Sequence, residues 1–269
     1  MDDRPIGIFD SGFGGLTVVR ALIDLAPCEE IVYVGDTARY PYGPRPADEV
    51  TRFAVEITRF LVERADVKMV VVACNTASSV ALERLRSTFD VPIIGVLEPG
   101  LRSAARVSQR GNIGVIGTVG TISSGSYQRL ALDLAPQMML HCLACPGFVE
   151  FVERDEIDSD QVHVLAERLL SPLVRSGVDT LLLGCTHYPF LARTLADVMG
   201  PDVVLVSSAE ETAFDVAAVL ERTGTGRRSS LQTRHRFCSS GDGAHFAKMG
   251  RKLLGPELNH AESIKFIGS

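Results

Sequence analysis

The chain has 269 residues, 46% hydrophobic and 22% charged, proportions of a folded globular protein. At ~150 residues per domain this length predicts about two domains. A formal net charge of −6 leaves no basic footprint for nucleic acid, and no uninterrupted apolar run approaches the ~18 residues of a membrane-spanning helix.

The stretch MDDRPIGIFD at the start is acidic and passes at once into a strand pattern. That predicts no secretory signal and a cytoplasmic location, where the 6 cysteines stay mostly reduced. Short β-rich runs then alternate with longer helical stretches. The first four strands are predicted at 6–9, 31–36, 67–74 and 92–96, and a second four at 112–118, 138–145, 180–185 and 202–208. The runs are continuously apolar rather than alternating, as parallel strands covered on both faces require. Helical stretches at 47–64, 161–176 and 210–222 fill gaps between them. The pattern is that of an α/β fold with doubly wound, mainly parallel sheets.

A domain change is expected near LEPG (97–100), with a first domain of 1–97 plus 207–269 and a second of 98–206. The last segment, from about Ser207, reads as helical material without a sheet of its own, returning to the first domain. TGTGRRSS (223–230) reads as a loop, and the short basic clusters at 226–228 and 234–236 as solvated surface.

The stretch from 7 to 36, GIFDSGFGGLTVVRALIDLAPCEEIVYVGD, has the outline of a dinucleotide-binding unit, with Asp36 where a ribose partner would stand. Its details depart from one. Thr17 occupies the place of the third glycine after Gly12, Gly14 and Gly15, Asp10 would repel a pyrophosphate, and no G-K-[ST] follows. A carboxylate at this strand end suits an ammonium group. A tight turn needing permissive glycines accounts for the glycines but not for Asp10 and Ser11.

Two further stretches repeat one another. KMVVVACNTAS (68–78) runs an apolar strand into Cys74, then Asn75 and Thr76; TLLLGCTHYP (180–189) runs another into Cys185, then Thr186 and His187. Each leads towards a helix, whose N-terminus favours thiolates and bound carboxylates. A single cysteine in such a place is often just a small buried hydrophobe. A corresponding pair, in two similar domains facing across a cleft, points to chemistry. One nucleophilic thiol with a base, Cys185 with His187, would make a hydrolase and leave Cys74 idle. Proton transfer at a stereocentre employs both thiols, one on each face of the carbon. A catalytically silent binding module is the reading from another class. CLAC (142–145) lacks a second pair or histidines at zinc spacing and reads as core, so no metal site is expected.

Six segments together, IGIFDSGFGGLTV, VYVGDTARYPYG, VVACNTAS, IGVIGTVGTI, CPGFVEFVE and LLLGCTHYP, span residues 6–189 in order and resemble the cofactor-independent glutamate racemases of bacterial cell-wall synthesis. The resemblance implies Cys74 and Cys185 as the acid/base pair, assisted by Asp10 and His187. It places substrate contacts at Asp10, Ser11, Tyr42, Gly43, Asn75, Thr76, Thr186 and His187, and aligns the family's glutamate with Glu153. Three positions before Glu153, Glu150 stands where the family usually has a proline. It implies interconversion of L- and D-glutamate for peptidoglycan without a cofactor, and a possible homodimer. Aspartate and other acidic amino-acid racemases share the two-cysteine logic and are the nearest alternative. His141, His163, His235 and His245 read as structural or solvated.

Overall fold

The structure is a computed structural model that describes residues 2–227 and 233–266. Residues 228–230 of the loop read at 223–230 lie outside the described residues. The chain divides into two compact units, one running up to Val96 and resuming at Ala209, the other comprising Leu97–Ser208.

The first unit opens with β1 (Ile6–Asp10), α1 (Leu16–Leu25), β2 (Ile31–Gly35), α2 (Ala47–Arg59), β3 (Met69–Val72), α3 (Asn75–Thr88) and β4 (Ile93–Gly95). The second contains α4 (Leu97–Val107), β5 (Asn112–Gly117), α5 (Val119–Ser123), α6 (Ser126–Leu134), β6 (Met139–Ala144), α7 (Phe148–Glu153), α8 (Asp160–Arg175), β7 (Thr180–Gly184), α9 (Ala192–Met199) and β8 (Val204–Val206). The chain then returns through α10 (Ala209–Thr223), β9 (Arg236–Ser239), α11 (Gly243–Leu254) and β10 (Glu262–Ser263).

All eight predicted strands form, and every pairing is parallel. The first sheet runs β10-β9-β2-β1-β3-β4 and the second β6-β5-β7-β8. Strands β1, β2, β3 and β7 are buried along their whole length, which is why their sequences are apolar without alternation. Helix α2 shows the other periodicity: Val50, Phe53, Ala54 and Ile57 fall on one buried face, with Asp48 and Glu49 in its first turn and Arg59 in its last. The predicted helix at 47–64 continues past Arg59 only as a π-helical turn, Phe60–Arg64.

The final segment has no sheet of its own, but besides its helices it contributes β9 and β10, which extend the first sheet beyond β2. Only four and two residues long, they carry no apolar run of readable length. Strand β6 also differs from expectation. It lies at a sheet edge, with Met139 61% exposed, so Cys142 is half-buried and only Cys145 of the CLAC pair is fully enclosed.

Both sheets place their strands in the order second-first-third-fourth within each unit. In the first unit, α2 and α3 pack together on one side while α1 packs with α10 and α11 on the other. In the second, α4 packs with α6, and α8 with α9. The strand order therefore reverses between β1 and β3, and again between β5 and β7. Such reversals open crevices beyond the carboxyl ends of the strands, where ligands of open α/β sheets bind.

Candidate active site

At the first reversal, Ala73 N donates to Phe9 O at 2.9 Å, and this register brings the residues after β1 and β3 side by side. Cys74 is the residue before α3, with an extended backbone, and its Sγ lies 3.8 Å from Ser11 Oγ. Asn75 and Thr76 form the start of α3 and are buried, as are Cys74 and Ser11. The backbone N–H groups in this first turn have no intrahelical acceptors, the usual basis for holding an anion.

Asp10 is wholly buried. Its Oδ2 accepts from Gly15 N at 3.0 Å and Gly12 N at 3.3 Å, while Oδ1 has no hydrogen-bond partner among the described residues. One oxygen thus ties down the glycine turn and the other retains its acceptor capacity. Gly15 serves space rather than left-handed backbone: none of Gly12, Gly14 and Gly15 has a positive φ. A Cβ on Gly15 would stand 2.7 Å from Asp10 Cβ and 2.9 Å from Ala73 Cβ. Tyr33 closes the turn from below, its hydroxyl donating to Gly12 O at 2.9 Å. Burial, followed by the negative groups Asp10 and Cys74, pushes the Tyr33 phenol well above its usual range, so it remains a donor.

Tyr42 and Gly43 lie on the loop joining β2 to α2. The Tyr42 ring is buried against Phe53 and its hydroxyl donates to Asp36, so its side chain is committed to the interior. Asp36 also accepts from Arg39 Nε at 2.7 Å and Ser240 Oγ at 2.6 Å. A carboxylate so engaged is not available to a ribose, which removes the remaining support for a dinucleotide site.

At the second reversal, Gly117 pairs with Gly184, setting the ends of β5 and β7 in register. Cys185, Thr186 and His187 follow β7 and are all buried. Here the expected helix is displaced. The chain enters a 3₁₀ turn, Tyr188–Leu191, with Pro189 near its start, and α9 begins only at Ala192. Cys74 therefore sits at a helix N-terminus and Cys185 does not.

His187 Nε2 lies 2.9 Å from Glu153 Oε1, at the end of α7, and its Nδ1 lies 3.5 Å from Thr186 Oγ1. Tyr188 Oη donates to Cys145 O at 3.0 Å, which fixes the turn after His187. The thiols of Cys142 and Cys145 are pushed up to about 11 and about 12 by burial, with Cys185 a smaller contributor at Cys145. They remain protonated in neutral solution.

Thr118 and Thr121 stand at the same reversal with no catalytic motif to single them out. Thr118 follows β5 as Cys185 follows β7, and its hydroxyl accepts from Thr121 N at 3.1 Å while standing 3.0 Å from the Thr121 hydroxyl. The repeated GT in GTVGT was the available signal.

The site residues thus gather in two groups, each within its own unit: Asp10, Ser11, Cys74, Asn75 and Thr76 with the nearby Tyr42–Gly43 loop, and Cys185, Thr186, His187 and Glu153 with Thr118. Among the described residues no helix is long and apolar enough to cross a membrane.

Comparison with known proteins gives the same grouping a context. A glutamate racemase from Corynebacterium diphtheriae is 47% identical over 100% of both chains. A glutamate racemase isoform from Bacillus anthracis superposes with a TM-score of 0.92 at 39% identity, covering 98% of each chain. A glutamate racemase from Francisella tularensis, solved in complex with D-glutamate, also gives 0.92, at 30% identity over 100% of each chain. Residues 14–213 match the Asp/Glu/Hydantoin racemase family. The chain belongs to that family of racemases.

Proposed function

We propose that this chain interconverts L- and D-glutamate by proton transfer between two thiols, supplying D-glutamate for peptidoglycan. The observation that carries the reading is the repeated placement of a cysteine at the strand-order reversal of each sheet, Cys74 beyond β3 and Cys185 beyond β7. A hydrolase or a binding module needs no such duplication.

In this reading the thiolate of one cysteine removes the Cα proton, breaking the C–H bond and leaving the electron pair on the substrate. The thiol of the other then delivers its proton to the opposite face. Cys74 serves D-glutamate and Cys185 serves L-glutamate. The substrate ammonium is set near the unsatisfied Asp10 Oδ1, and the carboxylates near Ser11, Asn75, Thr76 and Thr186, with Thr118 adding a hydroxyl. His187, held by Glu153, assists Cys185, as Asp10 assists Cys74. The α-proton of an amino acid is weakly acidic, so donors aimed in advance at the developing charge lower the barrier most. Enclosure of the substrate keeps water from competing for the proton. The thiols themselves supply the acid and base, and no cofactor is required.

The relatives named above support glutamate as substrate: the Francisella tularensis racemase was solved with D-glutamate. Circular dichroism of L-glutamate incubated with the pure protein should decay to zero, and the same should hold from D-glutamate. Aspartate should turn over far more slowly, because its side chain is one methylene short and leaves buried donors unpaired. Equal rates on aspartate would favour the broader acidic amino-acid reading, and no loss of optical activity with either substrate would overturn racemisation.

A further inference from the structure

The loop between β2 and α2 carries Tyr42 and Gly43, and its fastenings converge on Arg39. The Arg39 guanidinium lies between two phenyl rings, 4.1 Å from the centroid of Phe53 on α2 and 4.7 Å from that of Phe266 in the segment after β10. Its Nε donates to Asp36 Oδ2 at 2.7 Å and its Nη1 to Glu56 Oε2 at 2.5 Å. The same Asp36 oxygen accepts from the Tyr42 hydroxyl, and the other from Ser240 Oγ. A single cation therefore joins the start of the loop, helix α2 and the returning C-terminal segment, and Asp36 passes that constraint to Tyr42.

A solvent-exposed ion pair would be worth little here. Arg39 is only 15% exposed, however, and Asp36 not at all, so the charges meet largely out of water. A planar guanidinium stacks between rings and forks to two carboxylates at once, which an ammonium cannot do. The loop is stitched to the same returning segment elsewhere: Ala38 N donates to Ser240 Oγ, and the hydroxyls of Thr37 and Ser239 lie 2.7 Å apart.

We propose that Arg39 is a positioning residue for substrate capture, holding the Tyr42–Gly43 segment in its binding conformation from a socket that the C-terminal Phe266 completes. The inference rests on the glutamate-racemase reading and on the assignment of Tyr42 and Gly43 to the substrate. With the clamp removed, each binding event must order the loop again. That cost falls on binding, so KM rises while kcat, set by the thiols, changes little.

The test compares Arg39→Ala, Arg39→Lys and Phe266→Ala with the wild type, measuring KM and kcat for both enantiomers together with melting temperature. Wild-type racemisation of glutamate is established first; its failure would refute the underlying reading before any variant is compared. With activity present, both Arg39 variants should raise KM about tenfold and Phe266→Ala about threefold, with kcat within about threefold of wild type. Ethylguanidinium added to Arg39→Ala should restore KM towards the wild-type value. If Arg39→Ala does not fold, Arg39→Lys and Phe266→Ala decide the matter through the same KM measurement. A wild-type KM in the folded variants, with only a lowered melting temperature, would overturn the proposal and leave Arg39 a purely structural residue. A KM rise that ethylguanidinium leaves unchanged, or a fall in kcat alone, would overturn it too.

Discussion

Nε2 of His187 stands 2.9 Å from Oε1 of Glu153, the imidazole 3% exposed at its side chain and the carboxylate 28%. An ionised carboxylate only accepts, so the hydrogen in this contact belongs to His187 Nε2. In the neutral ring that leaves Nδ1, on the Thr186 side, as the acceptor. Glu153 thereby fixes the tautomer and the orientation of the ring. Glu153→Gln should keep the fold but lower kcat/KM by about tenfold or more, because an amide that turns its NH2 towards Nε2 no longer fixes the tautomer. A folded Glu153→Gln with wild-type kcat/KM would assign Glu153 a packing role instead.

Lys68 and Glu29 form a buried pair, Nζ to Oε2 at 2.6 Å, with side chains 1% and 3% exposed. Nζ donates to the carbonyls of Asp2 and Thr225, so the pair ties the residue before β3 to the segments before β1 and after α10. Lys68→Ala strands a buried carboxylate and should cost about 3–5 kcal/mol in urea denaturation. The double variant Lys68→Met with Glu29→Leu should recover much of that loss. A single-variant cost below about 1 kcal/mol would show that water reaches the pair.

The legibility of these features in the sequence followed their physics. Eight strands were readable because each is an apolar run, most of them wholly buried, though β6 and β8 are partly exposed at the edges of their sheet. Strands β9 and β10 were not: RFCS is buried between β2 and β10 but is only four residues long with one charged end, and ES is a two-residue edge strand. Their charged residues, Arg236 and Glu262, pair with each other at 2.6 Å, a contact that exists only once the strands are adjacent. The Cys74 and Cys185 devices were visible as local strings. Thr118 is marked locally only by the repeated GT, and its place level with Cys185 comes from the pairing of β5 with β7. Tyr42 enters the sequence reading only as a substrate contact implied by the resemblance, and only the fold reveals that its hydroxyl is spent on Asp36. Resemblance supplied Glu153, whose place beside His187 depends on the way α7 packs against the turn after β7.

His235 gives the fold a pH dependence of known sign. Burial, reinforced by Arg20 and opposed by Glu257 and Glu30, lowers its proton affinity from the ordinary value of 6.5. The unfolded chain takes up the proton first as the pH falls, so this residue's contribution to stability is present above about 6.5 and lost below it. Melting temperatures measured from pH 7.5 down to about 5 should therefore fall less steeply in His235→Asn than in the wild type. Parallel curves would show that other groups govern the acid limb.

The CLAC thiols should behave as bystanders. With Cys142 held at about 11 and Cys145 at about 12, both stay as unreactive thiols at pH 8. Iodoacetamide under native conditions should modify neither to completion, and Cys142→Ser should racemise at close to the wild-type rate. A folded Cys142→Ser that loses turnover by several orders of magnitude would give this cysteine a part in the chemistry.

The two-thiol claim is tested most directly with a glutamate analogue that expels a β-leaving group once its Cα proton is removed. Cys74→Ala and Cys185→Ala should each abolish racemisation, because one face of the carbon has lost its proton carrier. Each still retains one thiol, so each should eliminate the leaving group from one enantiomer alone. Cys74→Ala should act on the L-form through Cys185, and Cys185→Ala on the D-form through Cys74. The same enantiomeric preference in both variants, or racemisation by either at near wild-type rate, would contradict it.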